Sequence, residues 1–156
     1  MSNSPIRSFE GEYRYLSNFW LCPVEWAGIK WPSSENAYQA SKSLDIEKHM
    51  LISKMGPSDA KREGKLMKER GEIRPDFHKI KIVMMTNIVT AKFKQNPLLM
   101  QILVETGDAL LEEGNWWKDT FWGICPVGSG EGYNHLGKIL MDIRFTEQLY
   151  IHNMVN

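Results

Sequence analysis

Cysteine is scarce in this chain. Cys22 and Cys125 are the only two among 156 residues, and their neighbours form no disulfide framework. Two free thiols in a reducing cytoplasm are the expectation. The histidines give no metal site either, because His49, His78, His135 and His152 are scattered without ligand spacing. Charge of one sign is not in excess: nineteen Lys and Arg face nineteen Asp and Glu. That excludes a global field drawing the protein to nucleic acid or to an anionic membrane, so a nucleic-acid substrate would have to be held locally. Long apolar runs are missing as well. Residues 1–10 contain nothing of signal-peptide length, and no stretch is long enough to span a membrane. There is no internal repeat, no low-complexity linker and no G-x-S-x-G elbow. One motif is nearly present: residues 132–138 read G-x-x-x-x-G-K. Ile139 then stands where a phosphate-binding loop needs the Ser or Thr hydroxyl that holds magnesium, and no apolar strand leads into it. A nucleotide-hydrolysing loop is thereby excluded, and no cofactor is called for.

What remains is a composition that is 42% hydrophobic and 24% charged, that of a globular domain able to bury a real core. The expected organisation is a polar tail over residues 1–8 and a single domain over 9–150. Short strands are expected between residues 9 and 31. Residues 12–16 alternate partly, and 24–26 and 29–31 flank Ala27-Gly28 as a hairpin. Asn18 is either a turn residue bonding its own backbone or a group aimed at a ligand. Helices follow with clear punctuation. Asp45 caps one running to Met55, which Gly56-Pro57 ends, and Ser58 caps another over residues 59–70. Asp76 starts a long helix to Gln95, with Phe77, Ile80, Met84, Ile88 and Ala91 as its buried stripe. Asn96-Pro97 opens the next, with Leu98, Leu99, Ile102 and Leu103 inward. Residues 109–112 suit a strand. The last helix starts near Asn134, with Leu136, Ile139, Leu140 and Ile143 inward, and Asn134 caps it while remaining able to touch a ligand. The fold class is mainly α with a few short β-strands (α+β).

The most informative stretch is Trp31-Pro32-Ser33-Ser34-Glu35-Asn36-Ala37-Tyr38-Gln39-Ala40-Ser41-Lys42. Pro32 cannot continue a strand, and Ser33 or Ser34 caps a first turn whose dipole welcomes Glu35. Seven positions apart, Glu35 and Lys42 fall only ~20° apart around a helix axis with a rise of roughly 10 Å. Tyr38 and Gln39 lie between them on the same side. A solvated surface is the plain reading of such a face. An acid, an amide, a phenol and an amine directly after Trp and Pro also suit a site. Two further stretches carry candidate chemistry. Lys61, Arg62, Lys65, Lys68 and Arg70 make a basic segment, either a solvated helix with ion pairs or a phosphate contact. Asn115-Trp116-Trp117-Lys118-Asp119-Thr120-Phe121-Trp122-Gly123-Ile124 interleaves four aromatics with Lys118, Asp119 and Gly123, which suits a pocket wall, since Trp offers a flat face and an N–H donor.

These blocks, taken in order, resemble the NADAR (YbiA-like) family of N-glycosidases. The resemblance is carried by Leu16-Ser17-Asn18-Phe19, by Trp31-Pro32-Ser33-Ser34-Glu35 through Tyr38-Gln39-Ala40 to Lys42, and by Asp59-Ala60-Lys61. It continues through Ala91-Lys92-Phe93, Asn96-Pro97, Thr106-Gly107, Asp119 with Phe121-Trp122-Gly123, and residues 134–141. It covers nearly the whole chain and implies a mostly helical YbiA-like fold. It also implies hydrolysis of the bond between a nitrogen and the anomeric carbon of a (phospho)ribose. The substrate would be a ribosylaminopyrimidine phosphate of riboflavin synthesis or ADP-ribose on guanine in nucleic acid. Glu35, Lys42 and Asp119 then become the catalytic candidates. Asn18, Trp31, Tyr38, Gln39, Trp122, Gly123 and Asn134 become the substrate-binding ones. Asn36 departs from the family, which often has His there, and Trp20 stands where an aromatic such as Tyr is common. A desolvated Lys42 can attack the anomeric carbon after ring opening and form a Schiff base, with Glu35 moving protons, Asp119 orienting a ribose hydroxyl and Trp122 stacking. The reading from another class is a module that binds ADP-ribose or a related nucleotide without turning it over.

Overall fold

A computed structural model describes residues 3–156, and the chain folds as two compact units. One is built from the chain up to Ser17 together with Asn96–Asn156, the other from Asn18–Gln95. The protein is mainly α-helical with a single two-stranded sheet among the described residues.

In the 18–95 unit, strands β1 (Val24–Trp26) and β2 (Ile29–Trp31) pair antiparallel, with Val24 opposite Trp31. The turn between them needs positive φ at both central residues, and Ala27 (52°) and Gly28 (77°) supply it. The expected hairpin is therefore present. Helix α1 (Ser34–Ala40) follows, and the Ser33 side chain caps it by accepting from Asn36 N. Around α1 pack α2 (Ile46–Ser53), α3 (Pro57–Glu69), α4 (Phe77–Gln95) and both strands. Asp45 caps α2 as expected, accepting from Glu47 N. Helix α3 starts two residues earlier than expected: Pro57 takes the first turn after Gly56 and Ser58 is not the cap, because proline's fixed φ already suits the first helical position. In α4 the buried side is Phe77, Met85, Ile88, Val89, Lys92 and Phe93; of the two methionines expected in the core, Met85 is buried and Met84 half-buried.

In the other unit, residues 11–16 form a 3-10 helix, Gly11–Leu16, in place of the expected strand. Five partly alternating residues do not distinguish the two. Tyr15 and Leu16 anchor that turn, and the Tyr15 hydroxyl donates to Ile102 O at 3.0 Å. Residues expected as a polar tail include Ile6, which is buried and forms a parallel bridge with Leu111. The first two residues of that tail lie outside the described ones. The strand expected at 109–112 is reduced to this single bridge. Helix α5 (Pro97–Glu105) buries Met100 and Leu103, while Leu98 and Ile102 are exposed, contrary to the expected stripe. It packs on α6 (His135–Val155), whose Leu136, Ile139, Leu140 and Ile143 face inward as expected.

Candidate functional site

All seven residues of α1 are buried, which rejects the solvated-face reading. Burying an acid, two amides and a phenol is costly unless their polar atoms find partners, and nearly all do. Asn18 sets the entrance. Its backbone oxygen accepts from Glu35 N at 3.0 Å, its Oδ1 accepts from Ser34 Oγ at 3.0 Å, and its Nδ2 lies 3.4 Å from Met85 Sδ. The residue thus braces the start of α1. Asn36 uses both amide protons on the end of α2, donating to Ile52 O and Met55 O at 2.9 Å each. A neutral imidazole has one N–H and cannot make both bonds, so asparagine here is a structural strut. Trp31, expected as a substrate contact, has no exposed surface, and its Nε1 donates to Trp26 O at 2.9 Å. It is core beneath the hairpin, with no face open to a ligand.

The chemistry collects on one side of α1. Gln39 Nε2 donates to Glu35 Oε1 at 2.7 Å. Helix α1 stops at Ala40, so Lys42 springs from the turn after it and not from the continuous stripe expected. Its carbonyl is held by Arg74 N at 2.8 Å. Its amine lies 5.4 Å from the centre of the Tyr38 ring and 5.8 Å from that of Phe77. Burial pushes the Lys42 amine below the ordinary lysine range; Glu35 opposes this, and Lys68, Lys61 and Lys81 add to it. Three cations therefore disfavour a charge on Lys42. The basic segment divides accordingly: Arg62 and Arg70 are engaged with Asp59 and Glu63 at 3.1 and 3.3 Å, whereas Lys61 and Lys68 act on Lys42.

The remaining candidates lie in the other unit. Asp119 is half-buried and its Oδ1 accepts from Phe121 N and Trp122 N at 3.1 and 2.9 Å, while Asn115 Oδ1 accepts from Asp119 N. Its carboxylate shapes the loop that carries Trp122. Trp122 packs edge-on against Phe121, with ring centres 4.8 Å apart. A side chain at Gly123 would strike Glu113 O, so this position serves the close approach of two backbone segments. Asn134 does not cap α6 through its side chain. Its Oδ1 accepts from Glu113 N at 3.0 Å and its Nδ2 donates to Leu111 O at 2.8 Å, tying residues 111–113 to the helix start. Those bonds occupy the atoms expected to reach a ligand. Sequence reasoning missed Phe77, which flanks the Lys42 amine, and Gly64, which faces Gln39 from α3. The signal for Gly64 was present: a glycine inside a charged helix with no turn to make.

No cluster of potential metal ligands occurs among the described residues, and no helix among them is long and apolar enough to cross a membrane. The NADAR domain matches residues 7–147. A riboflavin biosynthesis protein of Vibrio vulnificus is 37% identical over 97% of this chain, which spans 40% of that protein's length. The N-glycosidase YbiA of Escherichia coli is 35% identical over 92% of this chain and 86% of its own. The NMR structure of the E. coli protein YbiA superposes with a TM-score of 0.80 at 33% identity, covering 100% of this chain and 90% of that one.

Proposed function

The chain belongs to the NADAR family, and from that membership and the α1 side chains we propose that it is an N-glycosidase with Lys42 as nucleophile and Glu35 as proton carrier. The bond cleaved joins a nitrogen to the anomeric carbon of a (phospho)ribose. The single observation carrying this is the amine of Lys42 set against the Tyr38 and Phe77 rings at 5.4 and 5.8 Å, its proton affinity lowered by burial, with the buried Glu35 opposing that shift. An amine below its ordinary range holds more of the free base that attacks carbon.

The leaving nitrogen is poor, so it must be protonated as it departs. In the open-chain form of the sugar, the lone pair of Lys42 Nζ adds to the first carbon. The substrate nitrogen takes a proton by way of Glu35 and leaves as the neutral amine, and carbon and Nζ share the resulting double bond. Water then adds to that carbon, Lys42 departs, and the free sugar is released. Water is the only co-reactant, and no electrons change hands. The rings of Tyr38 and Phe77 flank the amine at 5.4 and 5.8 Å and attract it while it is charged. Lys61, Lys68 and Lys81 suit the phosphate groups of the substrate, which is a ribosylaminopyrimidine phosphate or ADP-ribose on guanine. Asp119 acts as a positioning residue for the Trp122 loop. Free thiols at Cys22 and Cys125 fit a reducing compartment such as the cytoplasm.

The test incubates the protein separately with a ribosylaminopyrimidine phosphate and with ADP-ribosylated guanosine and follows freed base. Release from one of them, with sugar left on Lys42 after borohydride reduction, is the expected result. Binding of either compound without release favours a nucleotide-binding module, and an active Lys42→Ala variant ends the covalent mechanism.

A further inference from the structure

Gly64 sits inside α3, buried, at a backbone conformation that any residue adopts. Glycine in a helix interior costs about 1 kcal/mol relative to alanine, so something other than backbone freedom keeps the methyl away. A Cβ at this position would overlap Gln39 Oε1 and lie 2.8 Å from Gln39 Cδ and 3.3 Å from Lys42 Nζ. All three nearest atoms belong to side chains of the candidate site, and none is backbone. At Gly123, by contrast, the atom struck is a carbonyl oxygen of the main chain. The space that a methyl would take at Gly64 is filled by the Gln39 amide and bordered by the Lys42 amine.

Gln39 has a second peculiarity. It is 5% exposed, its Nε2 is spent on Glu35, and its Oε1 has no hydrogen-bond partner among the described residues. A buried acceptor left open costs about 1–3 kcal/mol. That acceptor and the Lys42 amine both border the point where the Gly64 methyl would be. From these observations we infer that Gly64 and Gln39 form a positioning pair: Gly64 leaves room for the Gln39 amide, which fixes the Glu35 carboxylate through Nε2. Its Oε1 accepts a hydrogen bond from a substrate O–H or N–H arriving beside Lys42. The inference deepens the glycosidase reading and rests on it. It assigns Gln39 a ribose hydroxyl or the leaving amine as its ligand group.

A double-mutant cycle tests it, with kcat, KM and thermal unfolding recorded for Gly64→Ala, Gln39→Ala and the pair. The methyl meets the far end of a flexible side chain, so Gly64→Ala should keep its melting temperature within about 4 °C of the parent. Its kcat should fall about tenfold or more. In the Gln39→Ala background the amide is gone and the methyl has room, so adding Gly64→Ala should change kcat by less than about twofold. Three results overturn the inference: parental kcat in Gly64→Ala, equal losses from the methyl in both backgrounds, or unfolding of the double variant. An inactive parent sinks the glycosidase reading itself, whereas an active parent with an additive cycle sinks only the role of Gly64.

Discussion

Two lysines are withdrawn from water here, and their neighbours separate them. Lys42 keeps company with an acid, two aromatic rings and three other cations. Lys92 is wholly buried, with its amine 5.2 Å from the Phe93 ring centre, and burial brings it down to about 8. For Lys42, removal of the amine should reduce base release about a thousandfold, and the borohydride adduct should disappear with it. Because its proton affinity is lowered, the rate should rise with pH along a limb lying below the ordinary lysine range, read from the pH dependence of kcat. For Lys92 the consequence is stability. Between pH 8 and 10.5 the unfolded chain holds the proton that the folded chain has shed, so stability rises with pH across that window. The rise amounts to about 3 kcal/mol. Chemical denaturation of Lys92→Met against the parent over this window should show the parent gaining on the variant by that amount; parallel pH curves would refute it. Lys42 stood out in the sequence through its place in the motif block that follows Glu35, but the sequence did not show that it leaves from the turn beyond α1. Gly64 showed only as a glycine inside a helix with no turn to make, and its meaning depends on which side chains face it from another helix. Trp31 was misplaced for the same reason. An indole beside Pro32 and Ser33 looks available until the packing encloses it.

At the scale of elements, α1 departs most from what periodicity leads one to expect. A short helix buried all round has no polar face, so its polar residues must be satisfied by neighbours. Asn36 does this for α2. Asn36→Ala would remove the side-chain donor from the Met55 carbonyl and one of the donors to the Ile52 carbonyl, which keeps its bond from Met55 N, and should cost about 1–3 kcal/mol in urea unfolding. Substitution by Asp should cost at least as much, because a carboxylate donates no hydrogen bond. Ser33→Ala removes the α1 cap and should cost about 1 kcal/mol. Caps and terminators were readable because their chemistry is local: Asp45, Pro97 and Gly28 act on bonds within a few residues. The buried side of α5 was readable only in part. Its residues are apolar nearly all round; Leu103 was expected inward and is buried, while packing against α6 buries Met100 and leaves Leu98 and Ile102 exposed.

For the whole molecule, the two units differ in what they hold. The 18–95 unit contains the acid, amide and amine, and the other contains the Asp119–Trp122 loop, each organised by its own hydrogen bonds. Helix α6 buries nothing beyond Arg144, and residues 150–156 are all exposed. A chain ending at Leu149 should therefore melt within about 4 °C of the full-length protein. A larger drop would mean that the exposed apolar side chains Tyr150, Met154 and Val155 are covered in solution.

The order of residues alone was enough to establish a helix-rich fold, the hairpin at residues 24–31, most helix boundaries, and the Glu35–Lys42 block with its family resemblance. These follow from short-range chemistry: caps, prolines, glycine turns and motif identity act within a few positions along the chain. Packing alone decided that α1 is buried on every side, that Trp31 and Asn134 are structural, and that Gln39 keeps an open acceptor against Gly64. Those outcomes depend on atoms far apart in the chain meeting within hydrogen-bond reach, and no local pattern records which ones meet.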